Sequence, residues 1–543
     1  MEQLELFTEN QEQRKDLLVN LKEASKWASE YLNRNVTNSN ISYLIQYGKI
    51  NKYYLGTSIA ISLTELKNYY DNSNFTKEDV WKEKLGLDLN WHLSFSECKE
   101  AETTKHVHRL HPYKGKYIPQ LVEYFLDSHT DEFKQEPYFS KDEIVLDPFC
   151  GSGTTLVQAN ELSLHAVGID ISSFNTMISN IKIKKHDLLL LKQAASKITS
   201  SLIEFQRSKT YLNFEEELAL ELSMFNSKFF PSPEFKKMVR IGEIKEKEYA
   251  QEKEKEFLTT YEFLLDKYQI KLTQEKNSNF LDIWFLSTVR EEINFLFKEI
   301  NELEDLSLKE LLIVILSRTI RSCRATTHAD LATLKEPVTT TYYCKKHGKI
   351  CRPIFSILQW WQRYTQDTLT RLQQFSLLRT ETFQACLVGD SQTIDIYQEI
   401  KKINSDFAKL ILEQKIQGIF SSPPYVGLID YHEQHAYAYD LFEFKRQDNL
   451  EIGAMFKGQG KEARNDYVKA IAAVLQNCKK YLQDNYNVFL VANDKYNLYP
   501  EIARQANMQI VNQFKRPVLN RVEKDRGAYC ETIFQLQENR RIL

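Results

Sequence analysis

Residues 144–170 read IVLDPFCGSGTTLVQANELSLHAVGID, and the order of residue types in this stretch predicts the architecture. An apolar run ends at Asp147, and a loop with glycines at both ends follows at 151–153. Residues 154–160 have helical character, and a second apolar run ends at Asp170. Strand, glycine loop, helix and strand form the opening βαβ unit of a doubly wound parallel sheet.

The strand pattern stops after this unit and returns far downstream. From about residue 185 to 380 the chain is rich in Leu, Lys and Glu with a 3.6-residue period, which predicts helices. Residues 1–104 also favour helices. Short apolar runs typical of buried strands recur at 385–388, 416–420, 488–491 and 532–536.

We therefore predict an α/β fold, a Rossmann-like doubly wound sheet interrupted by a large, mostly helical insertion and preceded by a helical N-terminal region. The predicted divisions are a helical region at 1–104, the first half of the sheet domain at 105–190, the insertion at 191–382 and the second half at 383–543.

Composition sets the broad class. The chain has 543 residues, 42% of them hydrophobic, which is enough to build a core. Its net charge of −3 gives no general reason to expect a polyanionic partner, so any such partner must be argued from local patches. Eight cysteines in a chain of this length do not form a disulfide framework, and no apolar run is long enough for a membrane span. We expect a cytoplasmic protein with no membrane partner.

The glycine loop is suited to a ligand that the backbone must approach closely. Gly151 and Gly153 lack the Cβ that would collide with such a ligand. Asp170 follows Gly153 by 17 residues, at the end of the next strand, where an acid can accept both hydroxyls of a ribose. The Gly-Lys-Ser/Thr of a P-loop is missing, and so is the third glycine of a dinucleotide fingerprint. These features favour a ligand that carries adenosine without a pyrophosphate.

A second motif, GIFSSPPY at 418–425, is a predicted strand that runs into a rigid turn. Two consecutive prolines fix φ and remove two backbone donors, which leaves carbonyl groups able to accept from a ligand. Tyr425 offers a flat apolar face and Ser422 a small polar group. The turn is a suitable receptacle for a planar amine.

Together the two motifs resemble those of the DNA amino-methyltransferases, which use S-adenosylmethionine to methylate N4 of cytosine or N6 of adenine. Residues 111–121, HPYKGKYIPQL, resemble the family segment that covers the methionine end of the cofactor. Gly389-Asp390-Ser391 resembles the position that contacts the adenine ring. The resemblance covers roughly residues 105–185 and 383–540.

The resemblance implies a set of site residues. The catalytic residues would be Ser422, Pro423, Pro424 and Tyr425. The cofactor would be bound by Tyr117, Asp147, Phe149, Gly151, Gly153, Thr154, Asp170, Ile171 and Asp390. Within this set, the glycines would line the methionine, and Asp147, Asp170 and Asp390 would face its amino group, the ribose and the adenine.

The Ser-Pro-Pro-Tyr sequence is similar to that of the N4-cytosine enzymes, whereas the N6-adenine enzymes more often have Asp or Asn in place of Ser422. C5-cytosine chemistry needs a cysteine that typically follows proline, and the sequence has no Pro-Cys pair. We expect a site-specific N4-cytosine DNA methyltransferase that flips its target base out of the duplex. The alternatives are N6-adenine methylation of DNA, methylation of an RNA amino group and a catalytically silent DNA-binding scaffold.

The insertion is the expected DNA-recognition region. Residues 318–352 contain eight Lys or Arg and two acidic residues, a net charge of +6. Arg318, Arg321 and Arg324 recur every three residues and would line one helix face that engages successive phosphates. A solvated or internally paired basic face is the alternative. The expected partners are double-stranded DNA and, in a restriction-modification system, a cognate restriction endonuclease.

Two further groups of residues contain side chains that could bind a metal ion or contact a base. Cys344, His347 and Cys351 have metal-like spacing, but a structural zinc takes four ligands, and Cys323 or His328 would have to complete the set. A reduced cysteine pair near a surface histidine is the alternative, and we assign no metal from the sequence. The aromatic and histidine residues of the stretch 430–439 could border the flipped base.

Overall fold

The computed structural model describes residues 17–32, 36–46, 48–56, 58–71, 77–86, 88–209, 211–274, 279–328, 334–519 and 529–539. The strands in these ranges are β1 (Leu18–Asn20), β2 (Tyr53–Leu55), β3 (Ser58–Ser62), β4 (Ile144–Asp147), β5 (His165–Asp170), β6 (Tyr342–Cys344), β7 (Lys349–Cys351), β8 (Gln384–Val388), β9 (Ile416–Ser421), β10 (Leu482–Ala492), β11 (Met508–Pro517) and β12 (Cys530–Glu538).

The α-helices of the same ranges are α1 (Leu21–Tyr31), α2 (Asn38–Gln46), α3 (Leu63–Asp71), α4 (Lys77–Leu85), α5 (Glu100–Thr103), α6 (Pro119–Leu126), α7 (Thr154–Glu161), α8 (Ser173–Ile183), α9 (Leu188–Arg207), α10 (Tyr211–Phe229), α11 (Glu234–Ile241), α12 (Glu246–Tyr268), α13 (Phe280–Trp284), α14 (Ser287–Asn301), α15 (Leu306–Ser322), α16 (Leu358–Ser376), α17 (Ile396–Ile403), α18 (Ser405–Gln414), α19 (Ala436–Phe442), α20 (Lys461–Lys479) and α21 (Tyr499–Gln505). None of these helices combines the length and apolar character that a membrane crossing requires.

Seven strands form one sheet in the order β11-β12-β10-β9-β4-β5-β8. The five strands from β10 to β8 are parallel, and β12 runs antiparallel to both of its neighbours. Strand β4 lies between β5 and β9, with Val145 opposite Gly418 and Leu146 opposite Ile419. The predicted α/β fold with a doubly wound sheet is confirmed, and its two motif-bearing strands are direct neighbours.

The sheet is buried on both faces, as its continuous apolar strands require. Ile144 and Leu146 point into one hydrophobic cluster, which includes helices α17, α18, α20 and α21. Val145, between them, points into the other cluster, which continues through α8 into the helices of the insertion. The insertion therefore shares a continuous core with one face of the sheet.

The structure adds two features that the periodicity did not predict. Strands β1, β3 and β2 form a small antiparallel sheet, so the N-terminal region is not purely helical. These strands have only three to five residues, too few to give a clear two-residue alternation. Strand β11 was also missed, because it lies at the sheet edge and its middle residues are polar and exposed.

Gly418 is a glycine of β9 at which an added side chain would collide with the backbone of the neighbouring strand β10. A Cβ there would lie 2.2 Å from the backbone oxygen of Asn487 in β10. Gly418→Ala is therefore expected to lower the free energy of unfolding by about 3 kcal/mol, measured from urea-unfolding midpoints. Gly460→Ala is the matched control, since among the described residues nothing beyond its two chain neighbours lies within 4 Å of the added Cβ. Equal midpoints for the two variants would contradict the prediction.

Candidate active site

A cavity lies at the carboxyl edge of the parallel strands, with about 860 Å³ of empty space of which part is open to solvent. Ligands bind at this edge in doubly wound sheets because the loops that follow the strands converge there. The cavity walls come from the loops after β4, β5, β8 and β9 and from two more distant segments. The lining residues include Tyr113, Tyr117, Pro148, Phe149, Gly151, Thr154, Asp170, Ile171, Asp390, Ser422, Pro424, Tyr431 and Glu451.

The glycine loop after β4 has the backbone conformation that its sequence predicts. Gly151 has φ +52° and Gly153 has φ +77°, in the left-handed region that favours glycine. A Cβ on Gly151 would approach the Tyr113 hydroxyl to 3.0 Å, and one on Gly153 would approach Ser179 to 3.0 Å. Gly151 lines the cavity, whereas Gly153 packs behind it, where α7 begins.

Asp170 ends β5 and faces the cavity with a carboxylate that the neighbouring backbone holds in place. Its Oδ2 accepts from the Gly151 amide at 2.9 Å, and its Oδ1 accepts from the Ser172 amide at 2.8 Å. Burial raises the pKa of Asp170 to about 6. The group can therefore accept hydrogen bonds from a ligand, and such bonds would favour its ionised form.

Asp147 joins the two motifs from behind the cavity wall. Its carboxylate is buried and accepts from the Ser421 hydroxyl at 2.5 Å and from the Tyr117 hydroxyl at 3.1 Å. Burial raises the pKa of Asp147. Because the carboxylate points to these donors and is not part of the cavity lining, the structure gives it a linking position between β4 and β9.

The turn after β9 presents alternate residues to the cavity. Ser422 and Pro424 line it, while Pro423 and Tyr425 do not. The Ser422 hydroxyl donates to the backbone oxygen of Val491 at 3.1 Å, so its lone pairs are left to accept from a ligand.

Tyr425 is anchored from the antiparallel side of the sheet. Its hydroxyl donates to Glu531 at 2.9 Å, and Glu531 pairs with the buried Arg516 at 3.1 Å. Burial, followed by the charge of Glu531, raises the pKa of Tyr425 well above its ordinary value. This chain of contacts fixes the ring, which packs partly against the core of the sheet.

Some wall residues were not assigned individually from the sequence, and one of them lies in a segment that the sequence did not single out. Tyr113 lies in the segment 111–121 without having been singled out, and its ring stacks with Tyr431 at a centroid distance of 6.1 Å. Tyr431 and His432 fall in the aromatic stretch that was expected to border a base. Glu451 gave no sequence signal; it is buried and pairs with His432, which holds the wall together.

The predicted arginine stripe is corrected by the structure. Arg318 is buried and its guanidinium pairs with Asp367 at 2.5 Å, so its charge is balanced inside the protein. Helix α15 ends at Ser322, so Arg324 lies beyond it, buried, with Nε donating to the backbone oxygen of Arg321. Of the three arginines, Arg321 alone remains partly exposed on the helix.

The cysteines and histidines with metal-like spacing come together. Nitrogen or sulfur atoms of His328, Cys344, His347 and Cys351 all lie within 4.8 Å of one another. Of the two residues considered as a fourth member, the structure selects His328. Cys323 is buried in the main core instead.

Comparisons with known protein sequences identify relatives of the chain. Residues 9–181 match the N6/N4 family described as DNA methylase. The chain is 44% identical over 525 residues to the type II methyltransferase M.MjaII of Methanocaldococcus jannaschii, which covers 96% of this chain and 97% of that protein. It is 34% identical over 117 residues to the type II methyltransferase M.MvaI of Kocuria varians, which covers 22% of this chain and 24% of that protein.

Among solved structures, the rRNA methyltransferase aviRa from Streptomyces viridochromogenes aligns with 81% of this chain and 94% of its own, at 9% identity and a TM-score of 0.28. That score is too low to support a conclusion about the fold, which rests on the strand order. The 44% identity to M.MjaII over 96% of this chain, together with the DNA methylase match, shows which family the chain belongs to. The chain belongs to the DNA amino-methyltransferases, and it is an enzyme that methylates DNA.

Proposed function

We propose that the protein transfers a methyl group from S-adenosylmethionine to the exocyclic N4 amine of a flipped-out cytosine in double-stranded DNA. The observation that carries the proposal is that the turn at 422–425 borders the same cavity as Asp170 and Asp390. Two loops that lie far apart in sequence thus offer a receptacle for an amine and a receptacle for a nucleoside side by side.

The cavity has the polar groups that an adenosine-containing cofactor needs. Asp170 is suited to the ribose hydroxyls and Asp390 to the adenine, while Tyr117, Phe149 and Gly151 line the part left for the methionine. The buried Ser152 Oγ and Asn175 Oδ1 also border the cavity and have no hydrogen-bond partner among the described residues. Buried polar atoms of this kind are expected to find a partner in a ligand. S-Adenosylmethionine, when bound, supplies an electrophilic methyl group on sulfur.

The turn after β9 would prepare the amine for attack. The lone pair of an exocyclic amine is delocalised into the ring, which makes the nitrogen a poor nucleophile. The Ser422 hydroxyl, oriented by its bond to Val491, and the Pro423 carbonyl accept hydrogen bonds from the amine and favour a pyramidal nitrogen, and the proton lost on methylation passes to solvent. The ring of Tyr425 holds the base, and most of the acceleration comes from positioning.

The runner-up is methylation of adenine N6, because the matched family includes both kinds of enzyme. Ser422 supports the cytosine assignment, as the adenine enzymes more often carry an acid or amide there. Nucleoside mass spectrometry of DNA from cells that express the chain distinguishes the two. N4-methylcytosine is expected, and N6-methyladenine in its place would overturn the assignment. Sequencing with detection of modified bases gives the recognition site.

We further propose that the enzyme is the protecting partner of a restriction endonuclease, in line with the type II names of its relatives. Its working compartment would be the cytoplasm, where its eight free cysteines stay reduced.

Cofactor binding is expected to weaken below about pH 6. The pKa of Asp170 is raised to about 6, and ribose hydroxyls bind its ionised form better than its neutral form. Affinity should therefore rise with pH through this value and level off above it, while below it the affinity falls by up to about tenfold per pH unit. Calorimetric titration of S-adenosylmethionine between pH 5 and 8 measures the profile. Asp170→Asn should flatten it, and an unchanged profile in that variant would assign the dependence to another group.

Arg321 is the best remaining candidate for a phosphate contact. Lys114 and Arg324 lie close to it. Burial, followed by the charges of Arg321 and Arg324, lowers the pKa of Lys114. Arg321→Ala is expected to weaken DNA binding and to reduce the slope of log K against log salt by about 1. Lys409→Ala, which removes an exposed lysine on α18, is the control and should leave the slope unchanged. Equal slopes for Arg321→Ala and the unaltered chain would remove Arg321 from the interface.

A further inference from the structure

Strands β6 and β7 form a hairpin with two different faces. Tyr342 pairs with Cys351, Tyr343 with Ile350 and Cys344 with Lys349. Tyr343 and Ile350 pack against the core of the insertion, and the side chain of Asn226 bonds both the amide and the carbonyl of Ile350. Side chains alternate along a strand, so Cys344 and Cys351 share the opposite face.

That opposite face has little to hold it together by itself. Its hydrophobic cluster contains Tyr342, Cys344 and Cys351, with Val338 packed against them. Two of these four side chains are the cysteines. Small elements of this kind usually need a disulfide or a metal ion in addition to their apolar contacts.

The hairpin and one preceding residue place four ligand types around a single point. The His347 Nδ1 lies 3.4 Å from the Cys351 sulfur, and the rings of His328 and His347 are 4.4 Å apart. The Cys344 sulfur is within hydrogen-bonding reach of Cys351 and His328. In a tetrahedral zinc site, Zn–S of about 2.3 Å and Zn–N of about 2.0–2.1 Å make the edges between ligand atoms roughly 3.3–3.8 Å. The four atoms, all within 4.8 Å of one another, need to close by only a small amount.

The surroundings orient these ligands. The His328 Nδ1 lies 2.8 Å from the Tyr342 hydroxyl, which leaves its Nε2 for a metal, and such an outer contact is typical of histidine ligands. Gly348 has φ +64° and its amide donates to the Cys344 carbonyl at 2.7 Å, which shapes the turn that carries His347. Cys344 and Cys351 are buried, so the sulfurs are sheltered from solvent.

We propose that His328, Cys344, His347 and Cys351 bind one structural Zn²⁺. Two thiolates and two neutral imidazoles are a set that zinc prefers, and four protein ligands leave no open position for catalysis. On binding, each cysteine releases its thiol proton to solvent and the zinc keeps its oxidation state. The ion cross-links the hairpin to His328, which lies 16 positions before Cys344, and so fixes the end of the basic segment 318–352.

The test is the metal content of the full chain, purified without chelator from zinc-supplemented cells and measured by plasma mass spectrometry. About one zinc per chain is expected, and Cys344→Ser and Cys351→Ser should each lose most of it. Cys98→Ser is the matched control, since this partly exposed cysteine lies outside the cluster and should leave the zinc content unchanged. Calorimetric binding of S-adenosylmethionine by the serine variants shows whether they are folded.

Thiol titration provides a readout that does not depend on any variant. In the unaltered native chain, the Cys344 and Cys351 thiols should react with a thiol reagent only after a chelator has removed the zinc. Three results would overturn the proposal: zinc no higher in the unaltered chain than in Cys344→Ser, zinc retained by both serine variants, or a Cys344–Cys351 disulfide in freshly isolated protein.

Discussion

Tyr425→Ala is expected to lower the rate of methyl transfer by about 100-fold or more, while the affinity for S-adenosylmethionine stays within about twofold of the unaltered enzyme. The ring is fixed by the contact of its hydroxyl with Glu531 and by the core of the sheet, and it is not part of the cavity lining. Its removal therefore leaves the lining of the cavity complete, and takes away only the ring that is proposed to hold the flipped base beside it. Single-turnover methylation of DNA and calorimetry measure the two quantities.

Tyr425→Phe is the matched variant, because it keeps the ring and deletes only the hydroxyl that donates to Glu531. A loss of about tenfold or less is expected, since a positioning contact is removed and the stacking surface remains. If Tyr425→Phe were as inactive as Tyr425→Ala, the hydroxyl would be the important group. If Tyr425→Ala kept its full rate, the proposed seat of the base would be wrong.

Asp170→Ala is expected to weaken the binding of S-adenosylmethionine by roughly 100-fold. Hydrogen bonds to a charged group contribute about 1.5–3 kcal/mol each, and the ribose would make them to this carboxylate. The change also leaves the amides of Gly151 and Ser172 without their acceptor, which loosens the glycine loop. Equilibrium titration at pH 8, where the carboxylate is ionised, gives the affinity.

Glu381→Ala serves as the control for Asp170→Ala, since it removes an exposed carboxylate that pairs only with Lys185 among the described residues. It should bind the cofactor like the unaltered enzyme. An Asp170→Ala variant that retains its affinity would show that the ribose is held elsewhere, and it would separate the cavity from its proposed ligand.

The parts of the site that sequence could predict are those whose local pattern has a physical meaning. Glycines flanked by an apolar run and an acid predict a loop that approaches a ligand, and two prolines after a strand predict a rigid turn. Because parallel strands end at one edge of a sheet, both loops could be expected to meet there, and the cavity contains residues from both. Glu451 could not be predicted, as its place in the wall depends on a buried pairing with His432 that leaves no local pattern.

The basic segment shows the opposite case. The spacing of Arg318, Arg321 and Arg324 predicted one exposed face, but spacing says nothing about where the helix ends or which carboxylate lies opposite. Asp367, on another helix, neutralises Arg318, and α15 ends two residues before Arg324. The small N-terminal sheet was missed for a related reason, since its short strands are defined by their partners more than by their own residues.

The bond between Ser421 and Asp147 joins residues that are 274 positions apart. A growing polypeptide therefore completes its glycine loop at 151–153 long before the ribosome has made the strand that must lie beside β4. Closing so large a loop is an entropic cost that must be met before β4 and β9 can pair. Modification of DNA by a newly made molecule is thus expected to begin only when the final quarter of the chain has emerged and docked, and any truncation upstream of Gly418 yields a protein without the turn at 422–425.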